Sequence, residues 1–262
     1  MGRLQDKAVI ITGASDGLGR VMATMFSAEG ASLVLAARRT DQLEETARLV
    51  RDGGGTAVAV TTDVTDEDQV AAMVDAAVEA YGRVDVLINN AAQPGTDLHI
   101  WEQTLENWNA TIAIDVTAAM LCSREVLRKS MLEQGRGSIV NVSSTASWQG
   151  IPRKSHYGVA KAGLRTLTKV AAREVGPRGI RVNCVVPGGI QTDLLRNYWV
   201  RIAGEQGVTW EEIRDRGARA LALQRVATPE EVAWAVLFFA SDEASAITGQ
   251  SVTVDCGGYM QG

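Results

Sequence analysis

The chain is poor in the residues that build metal centres and covalent frameworks. Its three cysteines, Cys122, Cys184 and Cys256, are far apart, odd in number and form no C-x-x-C. With only His99 and His156 to join them, they support neither a zinc site nor a disulfide framework, so no metal is expected. A reduced, cytoplasmic setting is the simplest reading. Long apolar runs are missing as well: the first ends at Thr12, too short for a signal peptide or a membrane span. There is no excess of positive charge. Lysine and arginine number 26 against 31 aspartates and glutamates, a net charge of −5, and no basic run tracks phosphates. Nucleic acid is therefore not the expected partner. No repeat, low-complexity tract or linker divides the 262 residues, which suffice for one large α/β domain or two small ones.

What is present is a strict alternation of short apolar runs and amphipathic stretches. Ala8–Thr12 is β-branched and apolar, a buried strand. T-G-A-S-D-G-L-G follows from Thr12 to Gly19, and then a helix carrying Leu18, Val21, Met22, Met25 and Phe26 at helical spacing. A glycine turn between strand and helix lets a backbone approach a pyrophosphate, which rests on the free N–H groups of the helix. A second strand, Ser32–Ala37, ends in Arg38 and Arg39. In dinucleotide folds a carboxylate at this place accepts from the ribose 2′-hydroxyl of NAD, whereas an arginine accommodates the 2′-phosphate of NADP. The carboxylate is missing here, so NADP(H) is expected, with NAD(H) as the alternative. Asp16 in the glycine loop weighs against this, because its charge would repel phosphates.

The pattern continues with a helix over 41–50, strands over 57–61 and 84–88, and between them a helix opened by Thr65-x-x-Asp68 as a capping box. A long helix is expected over 107–134, further strands over 138–142, 181–186 and 251–254, and a proline-containing capped helix from Thr228. Alternating strands and helices imply right-handed βαβ units. The fold class is α/β, a Rossmann-type doubly wound parallel sheet flanked by helices.

The chemistry concentrates between Ser144 and Lys161. Tyr157 and Lys161 are four apart, one turn on one helix face. A lysine cation beside a phenol favours the phenolate and lowers its pKa, suiting it to exchange protons with an alcohol or carbonyl oxygen. Ser144 follows a strand and sits where open α/β sheets place their ligands. Alone, these residues are better described as a surface pair and a loop serine, since Y-x-x-x-K is a common spacing.

Together with the rest of the chain, the pieces resemble the short-chain dehydrogenase/reductase (SDR) family over nearly the full length. They are the glycine motif from Thr12, Asp63-Val64, N-N-A-A from Asn89, Ser144 with Y-G-V-A-K from Tyr157, P-G-G-I-Q-T from Pro187, and T-G-Q-S-V-T-V-D-C-G-G near the end. The resemblance implies that Tyr157 is the acid–base residue, that Ser144 orients the substrate oxygen, and that Lys161 tunes the phenol and holds the nicotinamide ribose. It implies cofactor contacts from Gly13, Ser15, Asp16, Gly17, Leu18 and Gly19. Arg38, Arg39, Asp63, Val64, Asn90, Ala91, Pro187, Gly188, Ile190 and Thr192 would supply the others. It also implies one domain over 1–262 with a variable substrate lid at about 190–222. Trp148, Leu194, Leu195 and Tyr198 would meet a mainly apolar, cyclic or aromatic substrate.

Two positions depart from the family pattern. Ala92 replaces the last glycine of N-N-A-G, and Asp115 stands where the family's fourth catalytic residue, an asparagine, holds a proton-relaying water. His156 is read as structural. A homodimer or homotetramer is implied through the helices of Asn107 and Tyr157, with Ala118, Ala119, Ala160 and Ala162 allowing close contact. The leading expectation is a ketone reductase or alcohol dehydrogenase. Beside it stand a non-catalytic, dinucleotide-binding redox sensor and an enzyme that uses its cofactor for epimerisation or dehydration.

Overall fold

The computed structural model describes residues 2–260. Its strands are β1 (Ala8–Thr12), β2 (Ser32–Ala37), β3 (Thr56–Thr61), β4 (Val86–Asn89), β5 (Gly137–Val142), β6 (Ile180–Pro187) and β7 (Ser251–Val254). They form one seven-stranded sheet in the order β3-β2-β1-β4-β5-β6-β7, every neighbouring pair parallel. Helices α1 (Gly17–Ala28), α2 (Thr40–Asp52) and α3 (Glu67–Tyr81) connect the first four strands. A continuous helical rod then runs through α4 (Leu105–Ile112), α5 (Ala118–Val126) and α6 (Leu132–Gln134), joined by π-helical turns at Ala113–Thr117 and Leu127–Met131. The last helices are α7 (Ser155–Val175), α8 (Asp193–Gln206), α9 (Trp210–Arg219) and α10 (Pro229–Ala240). No helix among the described residues is long and apolar enough to cross a membrane.

The strands read as unbroken apolar runs because both faces of the sheet are covered. Val9, Ile11, Leu33 and Leu35 pack under α1, α2 and α10 with Met22, Phe26, Leu43 and Val236. Ile10, Val34, Leu87 and Ile139 point the other way, into Val70, Met73, Leu121 and Val126 of α3 and α5. Successive side chains of each strand thus serve opposite layers. The strand order reverses at β1, between β2 and β4, and opens a crevice at the carboxyl ends of the strands.

Local details depart from expectation in three places. Thr65 does not cap α3. Asp66 does, accepting from the N–H groups of Asp68 and Gln69, while Thr65 donates to Asp63. A carboxylate serves the positive end of a helix better than a hydroxyl does. The rod begins at Leu105, capped by Thr104, and not at 107. Third, Ala118, Ala119 and Ala160 are buried within the protomer, so they offer no surface to a partner. By contrast, the capping box at Thr228 is complete: Thr228 and Glu231 bond reciprocally, with Pro229 opening α10.

Candidate active site

The strand ends deliver most of the singled-out residues to one cleft of about 510 Å³. Arg38 and Asp63 enter it just beyond β2 and β3, Asn90 and Ala91 beyond β4, and Ser144 beyond β5. Tyr157 and Lys161 reach it from the first turns of α7, and Pro187, Gly188, Ile190 and Thr192 from the end of β6 and the turn after it.

The glycine turn is built for close backbone passage. A Cβ on Gly19 would lie 2.1 Å from the carbonyl oxygen of Gly13, so no side chain fits where α1 crosses the turn. Gly17, at φ +50°, faces the cleft, and a Cβ there would meet only Thr192 Cγ2 at 3.9 Å. Gly17, Leu18 and Gly19, which open α1 and whose N–H groups have no acceptor within the helix, line this space. Asp16 caps one of them, accepting from Gly17 N at 2.6 Å, and lies 3.6 Å from an Arg39 nitrogen. Arg39 also donates to Ser15 Oγ at 3.0 Å. The expected repulsion between Asp16 and phosphates is therefore offset locally, by the helix terminus and by Arg39. Arg38 is exposed and makes no ion pair among the described residues. Asp63 accepts from the N–H and hydroxyl of Thr65, which hold its carboxyl below the usual range, and the Arg38 charge adds to this.

Asn90 ties the strand ends together. Its side chain donates to the carbonyls of Thr12 (2.9 Å) and Gly13 (3.3 Å), and its N–H to Thr12 Oγ1 (3.0 Å). Ala92 lines the cleft, is exposed and keeps an ordinary negative-φ backbone, so its methyl is accommodated.

At the other part of the cleft, Lys161 is buried: its Nζ donates to the Val142 carbonyl at 3.2 Å and lies 5.6 Å from the Tyr157 ring centre. The neighbouring Ser143 hydroxyl donates to the Lys161 carbonyl at 2.9 Å and fixes this turn of α7. Asp115, in the first π turn, accepts from Gln93 N at 2.8 Å and stands 3.8 Å from Lys161 Nζ. The Tyr157 phenol does not follow expectation. Burial pushes its pKa up from the ordinary 10.0; Lys161 and the Ser144 hydroxyl pull it down, and the Asp115 carboxylate pushes it up again. Desolvation and a second charge, neither visible in a four-residue spacing, outweigh the lysine. Burial likewise raises the Asp115 carboxyl, against the pull of Lys161 and the Gln93 N–H.

Three expected substrate contacts lie elsewhere. Trp148 stacks on Tyr259 with ring centres 5.7 Å apart and carries the Arg165 guanidinium on its face. Leu195 packs over Gly189, and the Tyr198 ring lies between Lys154 and Arg201, both of which bind Asp97. Only Leu194 of this group lines the cleft. Sequence reasoning missed Ile114, Ser143 and Asp193, which line it too, and each is a neighbour of a residue already singled out. His156 is buried and structural: Gln103 donates to its Nδ1 (2.7 Å), and its Nε2 donates to the Pro94 carbonyl (2.9 Å).

Comparison with known proteins agrees with this architecture. A family profile described as enoyl-(acyl carrier protein) reductase matches residues 13–259. Cis-4-hydroxycyclohexanecarboxylate dehydrogenase of Sinomonas cyclohexanicum is 40% identical over 256 residues, covering 97% of this chain and 96% of its own. Among solved structures, levodione reductase superposes with a TM-score of 0.92 at 33% identity, covering 97% of this chain and 98% of its own. A variant of the actinorhodin polyketide ketoreductase, solved with NADPH, gives 0.92 at 32% identity, covering 99% and 100%. With likeness of this closeness across whole chains, the protein belongs to the short-chain dehydrogenase/reductase family of oxidoreductases.

Proposed function

We propose that the protein interconverts a secondary alcohol and a ketone on a mainly apolar small molecule, with NADP(H) preferred over NAD(H). The observation that carries this reading is the half-buried Tyr157 phenol, with Ser144 beside it and the buried Lys161 cation beneath, opening onto a cleft with a glycine-lined bed.

The bed suits a dinucleotide. Gly17 leaves room for a pyrophosphate against the α1 terminus, and Arg38 is free to meet a 2′-phosphate. Asp63 and Val64 would border the adenine. Lys161 would take the nicotinamide ribose, and Ile190 and Thr192 the carboxamide. When bound, such a cofactor supplies or accepts the hydride. Ser144 positions the substrate oxygen by hydrogen bonding, and Tyr157 gives that oxygen its proton in reduction or removes it in oxidation. Lys161 favours the deprotonated phenol by its charge. Pro94, Ile114 and Leu194 present apolar walls beside these groups. A ring alcohol in the name of one relative and a polyketide ketone in that of another support a cyclic or extended ketone.

The test is NADPH consumption with a panel of cyclic ketones, comparing wild type with Tyr157→Phe. Loss of the proton-transfer group should lower turnover by about 10²–10⁴-fold while NADPH binding persists. Cofactor binding with no turnover of any ketone or alcohol by wild type would leave a redox sensor as the better reading. Product formation without net cofactor use would point to epimerisation or dehydration.

A further inference from the structure

Asp115 presents two chemically different oxygens. Its Oδ1 accepts from Gln93 N at 2.8 Å and faces Lys161 Nζ at 3.8 Å, both side chains being almost wholly buried. Its Oδ2 is also buried but has no hydrogen-bond partner among the described residues. The same is true of Asn89 Oδ1. The Asn89 amide nitrogen is engaged, donating to Asn141 Oδ1 at 2.8 Å and Ser123 Oγ at 3.2 Å, so the amide cannot turn without losing those bonds. Asp115 and Asn89 line one small cavity of about 10 Å³. That is about enough room for a single water molecule. Thr12, the hydroxyl-bearing residue there, is already saturated: it donates to the Ile88 carbonyl and accepts from Asn90 and Ala91. The cavity thus offers two unpartnered acceptors and, beyond the weak S–H of Cys122, no donor, a deficit that a water supplying two O–H groups satisfies.

We propose that Asp115 is an ionised positioning residue, held by Lys161 and Gln93 on one oxygen and by a water shared with Asn89 on the other, and that its charge shares the Lys161 cation with Tyr157. The inference rests on the reading of Tyr157 as the proton-transfer group. The charges and titratable groups around Asp115 are few. Lys161, Tyr157 and His156 face it from α7, and both ring nitrogens of His156 are engaged, by Gln103 and the Pro94 carbonyl. Cys122 of α5 lines the cavity, and burial pushes its thiol up to about 12, so it carries no charge. Lys161 is the cation that faces both the Asp115 carboxylate and the Tyr157 ring. An ionised Asp115 shares its field and leaves less of it for the phenolate; a neutral amide in its place would not.

The sign follows directly. Asp115→Asn removes the anion, the Tyr157 phenolate becomes easier to form, and its pKa falls. The midpoint of the pH–rate profile for alcohol oxidation should move to lower pH by about one unit. NADPH affinity at neutral pH serves as the control for an intact site. Equal midpoints in two active proteins would overturn the inference while leaving the proton-transfer reading in place; absence of turnover in wild type would instead remove that reading. A high-resolution crystal structure of the wild type provides the measurement that needs no variant. Density for a water within hydrogen-bond distance of both Asp115 Oδ2 and Asn89 Oδ1 is expected. A dry cavity, or direct contact between the two oxygens implying a protonated carboxyl, would overturn it.

Discussion

Arg38 and Arg39 are adjacent and of one type, yet their side chains are committed differently. Arg39 is held on Ser15 and Asp16, whereas Arg38 stands free at the mouth of the cleft. A 2′-phosphate bound by Arg38 should contribute about 1.5–3 kcal/mol as a charged hydrogen bond. Arg38→Ala is therefore expected to weaken NADPH binding roughly 10- to 150-fold and leave NADH binding nearly unchanged, as read by fluorescence titration of both cofactors. Equal losses for the two would remove Arg38 from phosphate recognition. The sequence announces both arginines and cannot separate them, because a side chain's partner is settled by elements brought together from elsewhere. The same limit explains Tyr157. Its spacing from Lys161 was legible, but the burial and the Asp115 charge that raise its pKa arise from packing. Trp148 illustrates the converse, an aromatic near the motif whose ring is taken up by Arg165 and Tyr259.

At the scale of the element, start signals were most readable where they are chemically redundant. The α10 start combines Thr228, Pro229 and Glu231, and Arg225 adds a two-pronged ion pair to the same glutamate. These contacts pull the Glu231 carboxyl from 4.5 to about 2. A carboxylate whose pKa falls on folding contributes stability that is complete above its unfolded value and is lost as pH drops through the folded one. Glu231→Gln should lower the melting temperature at pH 7 and at about pH 5, with the difference shrinking as pH falls from about 4.5 towards 2. A gap independent of pH would mean that the charge contributes nothing. The π-helical turns of the rod were not legible. A single extra residue in a turn leaves the apolar pattern almost intact, yet one of these turns carries Asp115.

At the scale of the whole molecule, the parallel sheet was the most legible feature, since each strand is a contiguous apolar run bounded by turn residues. The mode of association was less so. Ala118, Ala119 and Ala160 face inward, and what α5 and α7 expose is Met120, Val159 and Val170 at 37%, 50% and 48%. We expect the protein to form homodimers or homotetramers through these faces. Light scattering should give a multiple of 28.0 kDa for wild type, and a smaller species for a Val159→Glu, Val170→Glu double variant. A wild-type species of a single chain would refute this.

The double-sided packing of the sheet also has an evolutionary consequence. Since neighbouring strand residues belong to opposite layers, one inserted residue in β1 would exchange the contents of both at once. Helices α8 and α9 contribute nothing to either layer. Length and sequence can drift there at little cost to folding, by insertions and deletions that the strands would not survive.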